Sequence, residues 1–459
     1  MDRRTAAAAL CSVAMRAAML LMVWAILGVA AARARADRLA PDEVANKNAG
    51  GYVIAAPLFT YSTDLGSGFG ARAYYYWNGH PDEPGFADTP YVYRVFLQAF
   101  ASTRGAQFHW LDFDAPTLHG SPYRVRARLI YHYDPSSYYF GLGERALPPL
   151  TYPGSPRQFH RFDAYARDQA RIVDGMTYAK YDQYDLLRPV MLASVERLVA
   201  GDRVRLLAGV GASYARVRDY TGTQVDGTDA RGARRQAREV QTRLAADCAA
   251  GIVVGCSGGK DDFVRLGASY DTRDYEPDPN RGSFIDAAID LGTTVLASRY
   301  KYLRALVAAR GYWSPIPDRA DLVLAARAMF EAQTDGAPLF SMDTLPFTDD
   351  PSAGLGGHRT LRGFRQDRFV GSVMTLGNAE VRWTWGHARL LGQRFGFIIV
   401  PFVDAGRPFD SLGGLSARNW QASYGGAFRI AWNQATLVTV DYGRSSEDAG
   451  LYVNFNHIF

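Results

Sequence analysis

The sequence predicts an all-β fold: a transmembrane antiparallel β-barrel of about sixteen strands, with its sixth outer loop folded back into the cylinder. Three observations lead there. Apolar and polar side chains alternate strictly along most of the chain after residue 50. The N-terminus carries an apolar leader. Long and short connections then alternate between the strand-like runs.

The alternation is clearest where charges mark one face. Tyr123, Val125, Ala127, Leu129, Tyr131 and Tyr133 share a face, and Arg124, Arg126, Arg128, Ile130 and His132 share the other. Val204, Leu206, Ala208, Val210, Ala212 and Tyr214 repeat the scheme opposite Arg203 and Arg205. Leu322, Leu324, Ala326, Ala328 and Phe330 oppose Asp321, Arg327 and Glu331. A period of two describes strands with one apolar face. A soluble sandwich shows the same period. The leader, strand lengths of about ten residues and aromatic strand ends select the barrel, whose apolar faces meet lipid.

The leader spans residues 1–36. Arg3 and Arg4 precede an apolar run from Ala17 to Ala32, and Ala34-Arg35-Ala36 supplies an A-x-A cleavage pattern before Asp37. Read as a membrane anchor, the run falls short of the roughly 20 residues a span requires. Residues 37–50 form a short periplasmic segment, too little for a folded module ahead of the barrel at 51–459. The formal charge of +5 resides largely in the leader, since the rest holds 46 basic and 45 acidic residues. That balance offers nothing to nucleic acid. The 27 Tyr and 24 Phe accompany a mean hydropathy of −0.17, as expected when strands are greasy on one side only.

The strand-like runs fall at 52–61, 66–77, 91–102, 105–114, 123–133, 177–199, 202–217, 262–271, 282–293, 298–310, 320–331, 372–385, 395–405, 419–431, 434–443 and 450–459. An even count places both ends of the barrel chain on the periplasmic side. The longest connections, 134–176, 218–261 and 332–371, then all face outside, as in bacterial barrels, although two early outer loops are short. The Ala-, Arg-, Gln- and Glu-rich stretch from Arg231 to Ala249 predicts a short surface helix. Cys248 and Cys256, the cysteines left after leader removal, predict a disulfide closing a small loop in an oxidising compartment. The segment around Tyr138-Tyr139-Phe140-Gly141-Leu142-Gly143-Glu144 is compatible with packing on the rim or folding inward.

Within 332–371 lies Gly356-Gly357-His358-Arg359-Thr360-Leu361-Arg362-Gly363-Phe364, which lacks strand periodicity. A loop tip drawn into a barrel needs an anchor, because ordering it costs backbone entropy. Arg362 offers a planar fork of donors suited to a carboxylate. Gly363 permits close approach or positive φ, and Phe364 fills a gap beside the anchor.

Leu361-Arg362-Gly363-Phe364 resembles the Arg-Gly-aromatic tip of the sixth outer loop in BamA/TamA-type outer-membrane assembly barrels, also called bacterial surface antigens. Asp271-Thr272-Arg273-Asp274 with Pro279 and Gly282 is similar to that family's turn between middle strands. Phe402-x-Asp404-x-Gly406 resembles its thirteenth-strand signature, and Leu451 to Phe459 its terminal strand with a final aromatic residue. The ordered set covers about residues 263–459. The resemblance implies that Arg362 meets Asp404 on the inner wall, with Glu380 as a second carboxylate. By alternation, Leu451, Val453, Phe455, His457 and Phe459 lie on one face of this barrel-closing strand, the lipid-facing one, and Tyr452, Asn454 and Asn456 on the other. The resemblance further implies outer-membrane location and insertion or translocation of proteins or lipids through a weak seam between first and last strands. Members handling client proteins carry periplasmic POTRA domains. With only 37–50 ahead of the barrel, the expected partners are outer-membrane lipid and a separate periplasmic POTRA-bearing or chaperone protein.

The competing expectation is a passive pore or a surface-exposed structural barrel. An enzyme is not expected. The histidines lack metal spacing, there is no G-x-S-x-G or P-loop, and no Ser is placed beside His457 for a lipid-face hydrolase. No cofactor, metal or catalytic residue is assigned.

Overall fold

A computed structural model describes residue 47 and residues 49–459, apart from short stretches at 84–85, 87–88, 90, 119–120, 201–202, 275–277, 317–320, 343, 346–351, 391–392, 433–435 and 456. The expected export signal at 1–36 and most of the segment at 37–50 lie outside the described residues.

Sixteen strands form one closed antiparallel barrel. Numbered in chain order, they are β1 (Gly51–Ser62), β2 (Gly66–Trp77), β3 (Tyr93–Ser102), β4 (Gln107–Ala115), β5 (Tyr123–Tyr138), β6 (Gln183–Ala200), β7 (Val204–Asp219) and β8 (Gly259–Asp271). The second half comprises β9 (Gly282–Gly292), β10 (Tyr302–Trp313), β11 (Asp321–Gln333), β12 (Val373–Leu390), β13 (Gln393–Phe409), β14 (Gln421–Trp432), β15 (Thr436–Ser445) and β16 (Ala449–Phe455). Each pairs with its neighbours in sequence, and β16 returns to β1. The burial pattern reads out the alternation. Leu129, Leu206, Leu266, Ile289, Trp383 and Trp385 are exposed on the outer face. Arg128, Arg265, Asp290, Arg304, Arg327 and Glu331 on the opposite face are buried, with ion pairs such as Arg265–Asp290 at 2.6 Å. Exposed grease around a charged, paired interior is the inverse of a soluble core.

The long connections gather at one end and build a cap. Helix α1 (Phe162–Gln169) and helix α2 (Arg243–Ala249) stand beside a three-stranded sheet of Met176–Thr177, Arg234–Glu239 and Gln224–Thr228. The helix expected over 231–249 is therefore wrong in its first half, which is a hairpin strand pairing Arg234 with Thr228 and Arg238 with Gln224. Cys248 and Cys256 have sulfurs 2.06 Å apart at the end of α2. The segment after Tyr138 does both: Tyr138, Phe140, Tyr152, Phe162, Tyr165 and Tyr181 form an apolar cluster in the cap, while Gly143 N donates to the Val370 carbonyl at 2.8 Å and Ala146 is buried with Leu361 and Phe364 of the inward loop.

One expectation fails at the last strand. β16 ends at Phe455, and residues 457–459 turn into the lumen instead of continuing along lipid. His457 is buried against Asp278 at 2.8 Å, not lipid-facing. Arg382 donates to the Phe459 carbonyl at 2.7 Å and Arg327 to that of Ile458 at 3.0 Å. Luminal arginines supply the donors that a neighbouring strand would otherwise provide.

Candidate functional site

The site is the strap, residues 354–369 of the connection between β11 and β12, together with the seam where β1 meets β16. Two features bend the strap. Thr360 Oγ1 accepts from Gly356 N at 2.8 Å and donates to the Gly354 and Gly356 carbonyls, which closes a tight turn. Gly363 has φ +96°, and a Cβ there would sit 2.7 Å from Arg444 N. Its counterpart is Gly443 on β15, where a Cβ would sit 2.6 Å from the Arg362 carbonyl carbon. Strap backbone thus lies directly on barrel backbone, which only glycine permits.

Arg362 is fully buried. Its Nε and Nη2 donate to the two oxygens of Asp404 at 2.9 and 2.8 Å, a bidentate fork. Nη1 donates to Glu380 at 2.8 Å and to Asp441 at 3.1 Å, and the guanidinium lies 3.3 Å from the Phe402 ring centroid. The backbone N–H of Arg362 also reaches Asp404 at 3.2 Å. Glu380 in turn accepts from Arg382 and Arg429, each at 3.0 Å or closer. Parity explains the convergence. Asn378, Glu380 and Arg382 point inward from β12, Asp404 from β13, Arg429 from β14 and Asp441 from β15. Three carboxylates facing three guanidinium groups leave no large uncompensated charge. Phe364, 2 % exposed, fills an apolar pocket with Leu361, Phe369, Met374 and Leu376.

The residues singled out in the sequence therefore fall in two groups. Arg362, Gly363, Phe364, Asp404 and Glu380 come together. Leu451 and Val453 stay on the β16 wall, while Phe459 leaves it. Sequence reasoning missed the rest of the strap's attachments. Arg365 Nη1 donates to the Thr63 carbonyl at 3.0 Å and pairs with Asp64 at 3.3 Å in the β1–β2 turn, and its Nε pairs with Asp448 at 2.8 Å in the β15–β16 turn. Arg368 forks onto Glu447 at 2.7 and 2.8 Å. Gly363 N–H donates to Tyr452 Oη at 3.2 Å, and Ser445 Oγ donates to the Gly363 carbonyl at 2.7 Å. The signal was present as arginines at 362, 365 and 368, three residues apart in a glycine-rich loop.

This strap therefore clasps a short seam. β1 pairs with β2 along its full length, Gly51 to Ser62. With β16, among the described residues, it pairs only at Tyr61↔Val453 and Ser62↔Tyr452. From Gly51 to Thr60 the other edge of β1 has no β16 partner among the described residues.

The sequence profile of the Omp85 superfamily domain matches residues 194–455. The chain belongs to the Omp85 superfamily. It is an outer-membrane barrel, and the match covers the strap, Asp404 and all of β16. A domain of unknown function, DUF5982, matches residues 33–92, which include β1 and β2. Among solved structures, the Omp85 barrel is similar to BamA from Haemophilus ducreyi lacking POTRA domains 1–3 (12 % identity, TM-score 0.49, covering 89 % of this chain and 70 % of that one). It is also similar to CdiB from Acinetobacter baumannii (10 %, TM-score 0.44, 88 % and 59 %) and CdiB from Escherichia coli (9 %, TM-score 0.48, 90 % and 69 %). No curated protein matches.

Proposed function

We propose that this Omp85 barrel assists insertion or translocation of proteins or lipids at the outer membrane by opening laterally at the β1–β16 seam. The observation that carries the reading is the seam itself. Two register pairs hold it, while the β1 edge from Gly51 to Thr60 has no β16 partner among the described residues. An unpaired edge accepts an incoming strand by backbone hydrogen bonding. The buried strap keeps β12–β15 fixed while the seam works. Client delivery falls to a separate periplasmic POTRA-bearing or chaperone protein.

Depletion of the protein tests this. The expected result is accumulation of unfolded outer-membrane barrels in the periplasm or altered surface lipid. Normal assembly and surface lipid, together with steady conductance of the purified chain in planar bilayers, would assign a passive pore instead.

A further inference from the structure

The lipid-facing surface of the barrel is not uniform at its outer end. On β7 the even-numbered positions face lipid, as exposed Leu206, Val210 and Tyr214 mark, and the same parity carries Arg216 and Arg218 beyond them. On β8 the lipid-facing parity carries Leu266 and, at the outer end, Lys260. On β10 the odd positions face lipid, and Lys301, immediately before the strand, continues the face of Leu303 and Val307. Register brings these cations together. Lys260 lies opposite Tyr214, and Leu291 lies between Val264 and Leu303. The connection after β9 folds Arg299 against β8, its backbone N–H donating to the Lys260 carbonyl at 2.8 Å.

The cluster stands at headgroup height. From Lys301 to Trp313, exposed at the periplasmic end of β10, the chain rises about 30 Å along the membrane normal, at about 3.3 Å per residue and a tilt of about 40°. That exceeds an apolar band of about 25 Å, so the two residues stand at opposite interfaces. Exposed Tyr214 beside Lys260 marks the outer interface, where aromatic side chains gather.

The charge is only partly answered. Lys260 pairs with Asp262 at 2.8 Å, and Asp219 accepts from the Thr221 N–H at 2.8 Å. Asp185 lies opposite Arg218 in register without an ion pair between them. Arg218, Arg299 and Lys301 are exposed and form no ion pair among the described residues. Arg216 Nε is shielded from water and meets no acceptor among those residues. Five cations thus face three carboxylates. The outer halves of β1–β5, at 57–62, 66–71, 97–102, 107–111 and 129–138, contain no Lys or Arg, so the cluster is one-sided. Ring order sets it across the barrel from the β1–β16 seam.

We propose that the outer ends of β7–β10 bind an outer-leaflet lipid whose headgroup carries two phosphates. Arginine meets phosphate oxygens bidentately and lysine meets them as a point charge. An excess of two cations matches a headgroup with more than one phosphate. It does not match a zwitterionic one, whose phosphate is already answered by an amine. Directly below the cations, Val210, Leu266, Ile289, Leu291, Leu303 and Val307 are 43–60 % exposed and offer apolar surface to acyl chains. A free phosphate would use the cations alone, whereas a lipid uses both levels. The site does not depend on the seam opening.

The test uses the full chain purified in detergent and read by native mass spectrometry. The probes are diphosphoryl lipid A, its monophosphoryl form and phosphatidylethanolamine. The wild type is expected to retain the diphosphoryl lipid most tightly. In Lys260→Gln/Arg299→Gln/Lys301→Gln its affinity should fall at least about tenfold. Arg161→Gln/Arg167→Gln/Arg171→Gln removes the same charge from exposed positions in the cap and should bind as the wild type does. Retained heat-modifiable migration checks the fold of each variant. No retention by the wild type, no fall in the first variant, or an equal fall in both overturns the site. Equal retention of phosphatidylethanolamine overturns it too. A last arm adds inorganic phosphate and follows its phosphorus resonance. Phosphate binding that is lost in the first variant, with lipid retention unchanged, assigns the cations to free phosphate and overturns the lipid.

Discussion

Arg362 shows how much one side chain does here. It is a buried cation whose fork is filled by Asp404 and whose remaining donors reach Glu380 and Asp441. Arg362→Ala leaves those carboxylates facing Arg382 and Arg429 with one cation fewer, at a cost of roughly 3–5 kcal/mol. The expected readouts are lower thermal stability and new protease cleavage between 354 and 369. Unchanged melting and an uncut strap would rule out the anchor. A second residue, Glu239 of the cap, sets a pH response. Burial pushes its carboxyl up to about 8, opposed by the Lys180 backbone N–H and ammonium and reinforced by Asp182. Between the ordinary carboxylate value, about 4.5, and 8 the folded cap holds a proton that the unfolded loop releases, so cap stability falls as pH rises through that window. Protection factors for hydrogen exchange in 220–258, taken relative to the intrinsic base-catalysed rate, should fall from pH 5 to pH 8. Glu239→Gln should flatten that dependence, and a variant retaining the wild-type slope would place its source elsewhere.

At the scale of elements, legibility followed periodicity. Strands such as β2 and β9 were readable to within a residue, because a one-residue slip would expose charge to lipid. Arg362, Asp404 and Glu380 were legible through the family resemblance, with the loop chemistry of Arg362 and the parity of Glu380 in agreement. The cap was not. Residues 234–239 have helix-forming composition, yet pairing with Gln224–Thr228 and Met176–Thr177 overrides it, and such partners leave no local trace. The end of β16 was misread for a related reason. Alternation continues through His457 and Phe459, but Asp278, Arg327 and Arg382, distant in sequence, draw the tail inward. The Cys248–Cys256 link closes a short loop at the end of α2, so Cys248→Ser should loosen it by about 2–3 kcal/mol. The check is faster exchange confined to 243–258, with barrel melting unchanged. A drop in barrel melting would mean the cap and wall unfold together.

For the whole molecule, the barrel is asymmetric. On one side a strap crosses the lumen, pinned to β12–β15 and joined by Arg365 and Arg368 to the outer turns at Asp64, Glu447 and Asp448. On the other side the inward faces of β1–β4 carry Tyr52, Tyr74, Tyr76, Phe96, Phe108 and Trp110. Between them lies the β1–β16 seam, held at the outer end and unpaired below it among the described residues. This arrangement makes release of the two outer-end register pairs and of the arginine ties the step that completes lateral opening. The most direct measurement is a disulfide across the seam, Tyr61→Cys with Val453→Cys, formed by oxidation in cells. The account predicts that oxidised cells reproduce the depletion defect and that reductant reverses it. Normal outer-membrane assembly with the seam fully cross-linked would contradict it.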